Sequence, residues 1–93
     1  MERTVEVVPE AGLHARPASK FVQTANEFDA ELSVGRAEDG DGGLVSANSM
    51  LSVTGLNVGH GESVRLVAEG PDAADALDAL AAILETPVES EGE

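Results

Sequence analysis

Residues 12–18 read Gly-Leu-His-Ala-Arg-Pro-Ala, and they gather the reactive groups of this chain: one of its two histidines beside one of its five basic residues. His14 stands about one residue before an apparent helix start. The first amides of a helix lack intrahelical acceptors, and the dipole there is positive. A second positive charge is disfavoured at that end, so the imidazole is held neutral, and a neutral imidazole is a nucleophile. If it took a phosphoryl group, the free amides and Arg16 would stabilise the new oxyanions. Gly12 permits close approach of another surface. A plain alternative stands beside this one: His14 as a polar neighbour of the helix cap. No carboxylate–serine pair accompanies His14, so a hydrolase triad is not indicated. Two histidines and no cysteine do not make a metal site.

The elements around the motif follow from apolar spacing. Ala18, Phe21, Val22, Ala25 and Phe28 recur with helical period, and Pro17 falls in the first turn, where its missing N–H costs nothing. Lys20 lies one turn after Arg16 on the same face, either as added charge beside a phosphate or as a solvated lysine. Strands are expected at 4–8 (Val5 and Val7 on one face), 30–36 (Leu32 and Val34), 44–47 and 63–70 (Val64, Leu66 and Ala68). Residues 37–43, AEDGDGG, form a polar glycine-rich turn. They do not form a phosphate-binding loop, because the following lysine and helix are missing. A brief helix begins near Ser49, with Gly55 as its C-cap. His60 reads as a solvated turn residue. Pro71 and Asp72 open a long helix with Ala73, Ala76, Leu77, Leu80 and Leu84 inward and Asp72, Asp75 and Asp78 outward. The order is β-α-β-β-α-β-α, an α+β fold with a four-stranded antiparallel sheet and three helices on one face. Residues 1–86 form the domain, and 87–93 a disordered acidic tail.

Composition narrows the function. The 93 residues carry 18 acids against 5 bases, a formal charge of −13. That argues against nucleic acid and against an anionic membrane surface. No apolar run approaches the roughly 20 residues of a membrane span. The absence of cysteine suits a cytoplasmic setting. The acids read as spread over all segments, which favours work in concentrated salt over an acidic surface kept for a basic partner.

Gly12-Leu13-His14-Ala15-Arg16-Pro17-Ala18 resembles the active-site motif of the histidine-containing phosphocarriers (HPr) of the sugar phosphotransferase system. The resemblance covers nearly the whole chain, and the expected element order is that family's open-faced β-sandwich. It implies that His14 takes a phosphoryl group on Nδ1 from Enzyme I, with phosphoenolpyruvate as distant donor, and passes it to an enzyme IIA domain of a sugar transporter. It implies that Arg16 accompanies the phosphate, that Ala15 and Arg16 supply backbone donors, and that Pro17 sets the turn. Ser49 matches the family's regulatory serine, whose plain reading is an N-cap. Asn48 stands where the family often has a basic residue. Met50 and Leu51 match part of the docking face, although a core placement is the plain reading. The 37–43 turn is longer than the usual family hairpin by about four residues, a tolerated insertion. The chain is expected to be a monomer without a cofactor and without turnover of its own. Three other readings stand beside it: a donor to a dihydroxyacetone kinase or a nitrogen-related relay, a regulatory HPr-like binding protein, and a ligand-binding or structural domain with a chance motif. Relatives of the regulatory kind lack the active histidine, so His14 argues against that one.

Overall fold

The computed structural model describes residues 1–9, 12, 13 and 15–85; His14 and the expected tail at 87–93 lie outside the described residues. Among the described residues the elements are β1 (Glu2–Glu6), α1 (Ala15–Ala25), β2 (Glu31–Arg36), a 3₁₀ segment (Ala37–Gly43), β3 (Val45–Ser46), α2 (Met50–Gly55), β4 (Ser63–Glu69) and α3 (Ala73–Leu84). The sheet is antiparallel throughout, in the order β1-β4-β2-β3.

Side-chain alternation decides which face the helices cover. Val5, Leu32, Val34, Val64, Leu66 and Ala68 are buried, while Glu2, Thr4, Glu6, Glu31, Ser63 and Glu69 on the opposite parity are exposed. Against the apolar face pack Ala18, Phe21 and Ala25 of α1, Val53 of α2, and Ala73, Ala76, Leu77, Leu80 and Leu84 of α3. Those of α1 and α3 are inward positions that the spacing predicts, with Val22 and Phe28 only partly buried at the margin.

Several elements differ in detail. β1 lies at Glu2–Glu6 rather than 4–8, because its ladder with β4 runs from Glu2 opposite Val67 to Glu6 opposite Ser63. Val7 keeps its burial and instead exchanges backbone hydrogen bonds with Glu62 and Gly61, both at 2.8 Å. The 37–43 turn is two short 3₁₀ pieces broken at Gly40, whose φ of 63° and ψ of −152° suit only glycine. Gly55 does not cap α2: it is the last helical residue, and Asn57 takes the left-handed conformation (φ 58°) beyond Leu56.

Asp72 also departs from expectation. It sits at the N-cap of α3 but makes no side-chain bond to its own helix. Its two carboxylate oxygens accept the Asp29 N–H at 2.9 Å and the Ala30 N–H at 2.8 Å, tying the α1–β2 turn to the start of α3. Asp72→Ala should therefore lower unfolding free energy by about 1–3 kcal/mol, since two amides lose a charged acceptor. Asp72→Asn, which keeps one acceptor oxygen, should cost less. Urea unfolding checks both; equal stability of the three proteins contradicts the tie.

Candidate phosphoryl-acceptor site

The segment leading into the motif histidine is pinned on both sides. Gly12 has φ +78°, and a Cβ there would stand 2.4 Å from the Val58 carbonyl oxygen. Its N–H donates to Pro9 O at 2.9 Å, and the Leu13 N–H donates to Val58 O at 3.0 Å. The surface that Gly12 lets approach is thus the chain's own 58–59 backbone. Leu13 is fully buried, as is Ala18 one turn into α1. Two apolar residues bracketing a helix start in this way fix the entry of the chain. Sequence reading missed Leu13 as an anchor, although an apolar residue just ahead of a helix start is a usable signal.

α1 begins at Ala15, directly after His14 in the sequence, so Ala15, Arg16 and Pro17 form its first turn. The amides of Ala15 and Arg16 lie among those without an intrahelical acceptor. Pro17 is buried and Arg16 exposed. No acidic residue occupies the first turn. Arg16 thus puts positive charge at the positive end of a helix, a placement that costs about 0.3–1 kcal/mol. Arg3, Arg36 and Arg65 pair with carboxylates, whereas Arg16 has no ion-pair partner among the described residues.

α1 packs against α2. Ser49 is the N-cap of α2, its hydroxyl accepting the Ser52 N–H at 3.3 Å. Val53 anchors the helix in the core, while Met50 is 40% and Leu51 86% exposed. The core placement of this pair is therefore wrong. The expectation of evenly spread acids also needs correction. Residues 11–26 and 42–61 contain no Asp or Glu, and these stretches supply α1, α2 and the loop beyond it. The elements that carry Arg16, Lys20, Met50 and Leu51 are free of acids in a strongly acidic protein.

His60 is exposed but tied. Its Nδ1 lies 2.8 Å from the Val8 carbonyl oxygen, so Nδ1 carries a proton and donates it. In the same loop the Glu62 carboxylate accepts the Gly59 N–H at 2.9 Å and pairs with Arg36 at 3.1 Å. The Gly59 amide foremost, and Arg36 after it, hold the Glu62 carboxyl below its ordinary range, against a desolvation cost of opposite sign. A depressed carboxyl stabilises the fold above its unfolded pKa, and that contribution is lost as pH falls through the lowered value.

Comparison with known proteins agrees with this geometry. The family model described as the PTS HPr component phosphorylation site matches residues 1–86. The phosphocarrier protein HPr of Haloferax volcanii is 72% identical over 87 residues, covering 94% of this chain and 96% of that protein. The crystal structure of HPr-C-His from Thermoanaerobacter tengcongensis superposes with a TM-score of 0.85 at 38% identity, covering 100% of this chain and 98% of that one. A structure described as an HPr dimer from the same organism matches with a TM-score of 0.67 at 38% identity, covering 100% of this chain and 99% of that one. With a glycine-pinned entry, an exposed arginine in the first turn of α1 and a match running from the first strand through the last helix, this chain belongs to the HPr family of phosphocarriers of the phosphotransferase system.

Proposed function

We propose that His14 is the phosphoryl acceptor, receiving the group from Enzyme I and passing it to an enzyme IIA domain. A phosphocarrier of this family is an intermediate in a relay and has no independent turnover. In the proposed step the Nδ1 lone pair of a neutral imidazole attacks phosphorus while the bond from phosphorus to the donor breaks. The reverse sequence delivers the group onward. The amides of Ala15 and Arg16 and the Arg16 guanidinium face the oxyanions, and Pro17 fixes the turn. The observation that carries this reading is the exposed Arg16, without an ion-pair partner among the described residues, in a first turn that holds no acid.

Met50 and Leu51 on α2 supply the apolar part of the docking surface, and Ser49 serves as the cap that starts that helix. Met and Leu re-fit readily, which suits a surface that meets two different partners. The working form we infer is a cytoplasmic monomer, because the α1–α2 face must be open to donor and acceptor in turn.

Arg16→Ala tests the reading. Removing one donor to a developing oxyanion should lower kcat/KM for phosphoryl transfer on the order of a hundredfold. The same change should leave the melting temperature equal or slightly higher, since an opposed dipole interaction is relieved. Unchanged transfer kinetics would remove Arg16 from the phosphate site.

A further inference from the structure

We propose that Arg36 is a positioning residue for phosphoryl transfer: it locks the C-terminal end of α2, and the loop after it, in register with the segment that leads into His14. The proposal rests on the function given above. Arg36 ends β2, with its side chain a quarter exposed, and it contacts three parts of the chain. Nη1 donates to the carbonyl oxygens of Leu56 at 3.2 Å and Asn57 at 3.1 Å. Nη2 donates to Glu62 Oε2 at 3.1 Å, and Nε reaches Glu38 Oε2 at 3.4 Å.

Leu56 is the C-cap of the six-residue helix α2, and Asn57 is the residue that follows it. The last carbonyls of a helix have no intrahelical donors and carry the negative end of the dipole, where a cation is favoured. α2 has no basic residue in its own last turn, so Arg36 supplies that charge from twenty residues upstream of Leu56. Asn57 itself sits in the left-handed region, which costs a non-glycine residue energy that neighbouring contacts must offset.

The next residue carries the coupling to the site. Val58 presents the oxygen that accepts the Leu13 N–H and against which Gly12 is packed. The Glu62 carboxylate closes the far end of the same loop by accepting from Gly59 while pairing with Arg36. One guanidinium thus grips residues 56, 57 and 62 around the carbonyl at 58 that seats Leu13. Met50 and Leu51 ride on the helix whose end it holds. Arg36 touches no reacting atom; it acts by fixing where the docking helix and the entry segment lie relative to each other.

The test uses the full-length protein as substrate for Enzyme I, together with amide hydrogen exchange. Arg36→Met keeps most of the stem and removes every donor. Exchange at the Leu13 amide should quicken about tenfold while the Leu66 amide in β4 keeps its rate, because the loss is local. KM for this protein should rise about tenfold with kcat within about twofold, the pattern of lost binding rather than lost chemistry. Arg36→Lys, with a point charge in place of a fork, should fall between the two. Wild-type exchange at Leu13 in Arg36→Met overturns the proposal, and so does equal quickening at Leu13 and Leu66, which marks general destabilisation. A wild-type protein that accepts no phosphoryl group would refute the function instead, and the exchange arm would still read the grip of Arg36.

Discussion

The His14→Ala variant, incubated with Enzyme I and phosphoenolpyruvate, should carry no phosphoryl label, while the wild-type chain gains one acid-labile, base-stable group. The chain offers only two histidines, so the assignment is a choice between them. His60 commits Nδ1 to the Val8 carbonyl, which ties up that nitrogen as a donor. It also has no arginine among its immediate sequence neighbours, Val58 to Glu62. His14 immediately precedes a helix whose first turn holds no acid and carries the exposed Arg16, the residues proposed to receive the phosphoryl oxygens. A phosphorus–nitrogen bond breaks in acid and survives base, which separates it from a phosphoserine at Ser49. His60→Ala should keep the label, and Ser49→Ala should keep it too. Retention in His14→Ala would move the acceptor elsewhere and remove the role proposed for Arg16.

What could be read in advance divides along a physical line. Residues whose role depends on near neighbours in sequence were legible: the buried stripe of α1, the alternation Val64-Leu66-Ala68 in β4, and the Ser49 cap, each a matter of a few residues. The helix start within the motif from Gly12 to Ala18 was legible for the same reason, and the motif also pointed to the family. Residues whose partners lie far away were not. Asp72 looks like a first-turn acid, and only the fold brings the amides at 29 and 30 to it. Arg36 looks like a strand-end charge until residues 56, 57 and 62 are folded against it. Nothing in the spacing of Thr4 to Val8 shows that the ladder stops at Glu6 and that a turn from 59 to 62 then takes over Val7. The acid-free stretches were visible as letters, but they gain meaning once both turn out to supply α1 and α2, which pack against each other.

The thermal midpoint of the wild-type protein should rise on the order of 10 °C between dilute buffer and molar potassium chloride. All 18 acids and only three of the five bases lie outside residues 11–26 and 42–61, so the negative charge density there is higher than the net −13 suggests. On the open face of the sheet Glu31 stands directly opposite Glu69 in the β2–β4 register, a like-charge pair that opposes the ladder. Asp75 on α3 and Glu85 at its C-cap are exposed, whereas Asp78 is compensated by Arg3 at 2.7 Å. The core that resists this repulsion has Phe21 as its one fully buried aromatic among the described residues and is otherwise built from Leu, Val and Ala. Molar salt shortens the screening length to about 3 Å, below the separation of neighbouring surface carboxylates. The few exposed ion pairs that salt weakens are worth less than about 1 kcal/mol each, so the net effect is stabilising. Salt also stabilises proteins by exclusion from their surface, and charge must be separated from that effect. Glu69→Gln alone should raise low-salt stability by about 0.2–1 kcal/mol and add nothing in molar salt. Glu69→Gln combined with Asp75→Asn and Glu85→Gln should raise it further and flatten the dependence on potassium chloride. A wild-type melting curve indifferent to salt would refute the salt-adapted reading and hand the acidic surface to a basic partner. Salt dependence undiminished in the triple variant would assign the effect to exclusion. At the same ionic strength long-range steering is lost, so recognition of donor and acceptor must rest on contacts that screening leaves intact, and the proposed ones are of that kind: Met50 and Leu51 at close range, and Arg16 against the phosphoryl group.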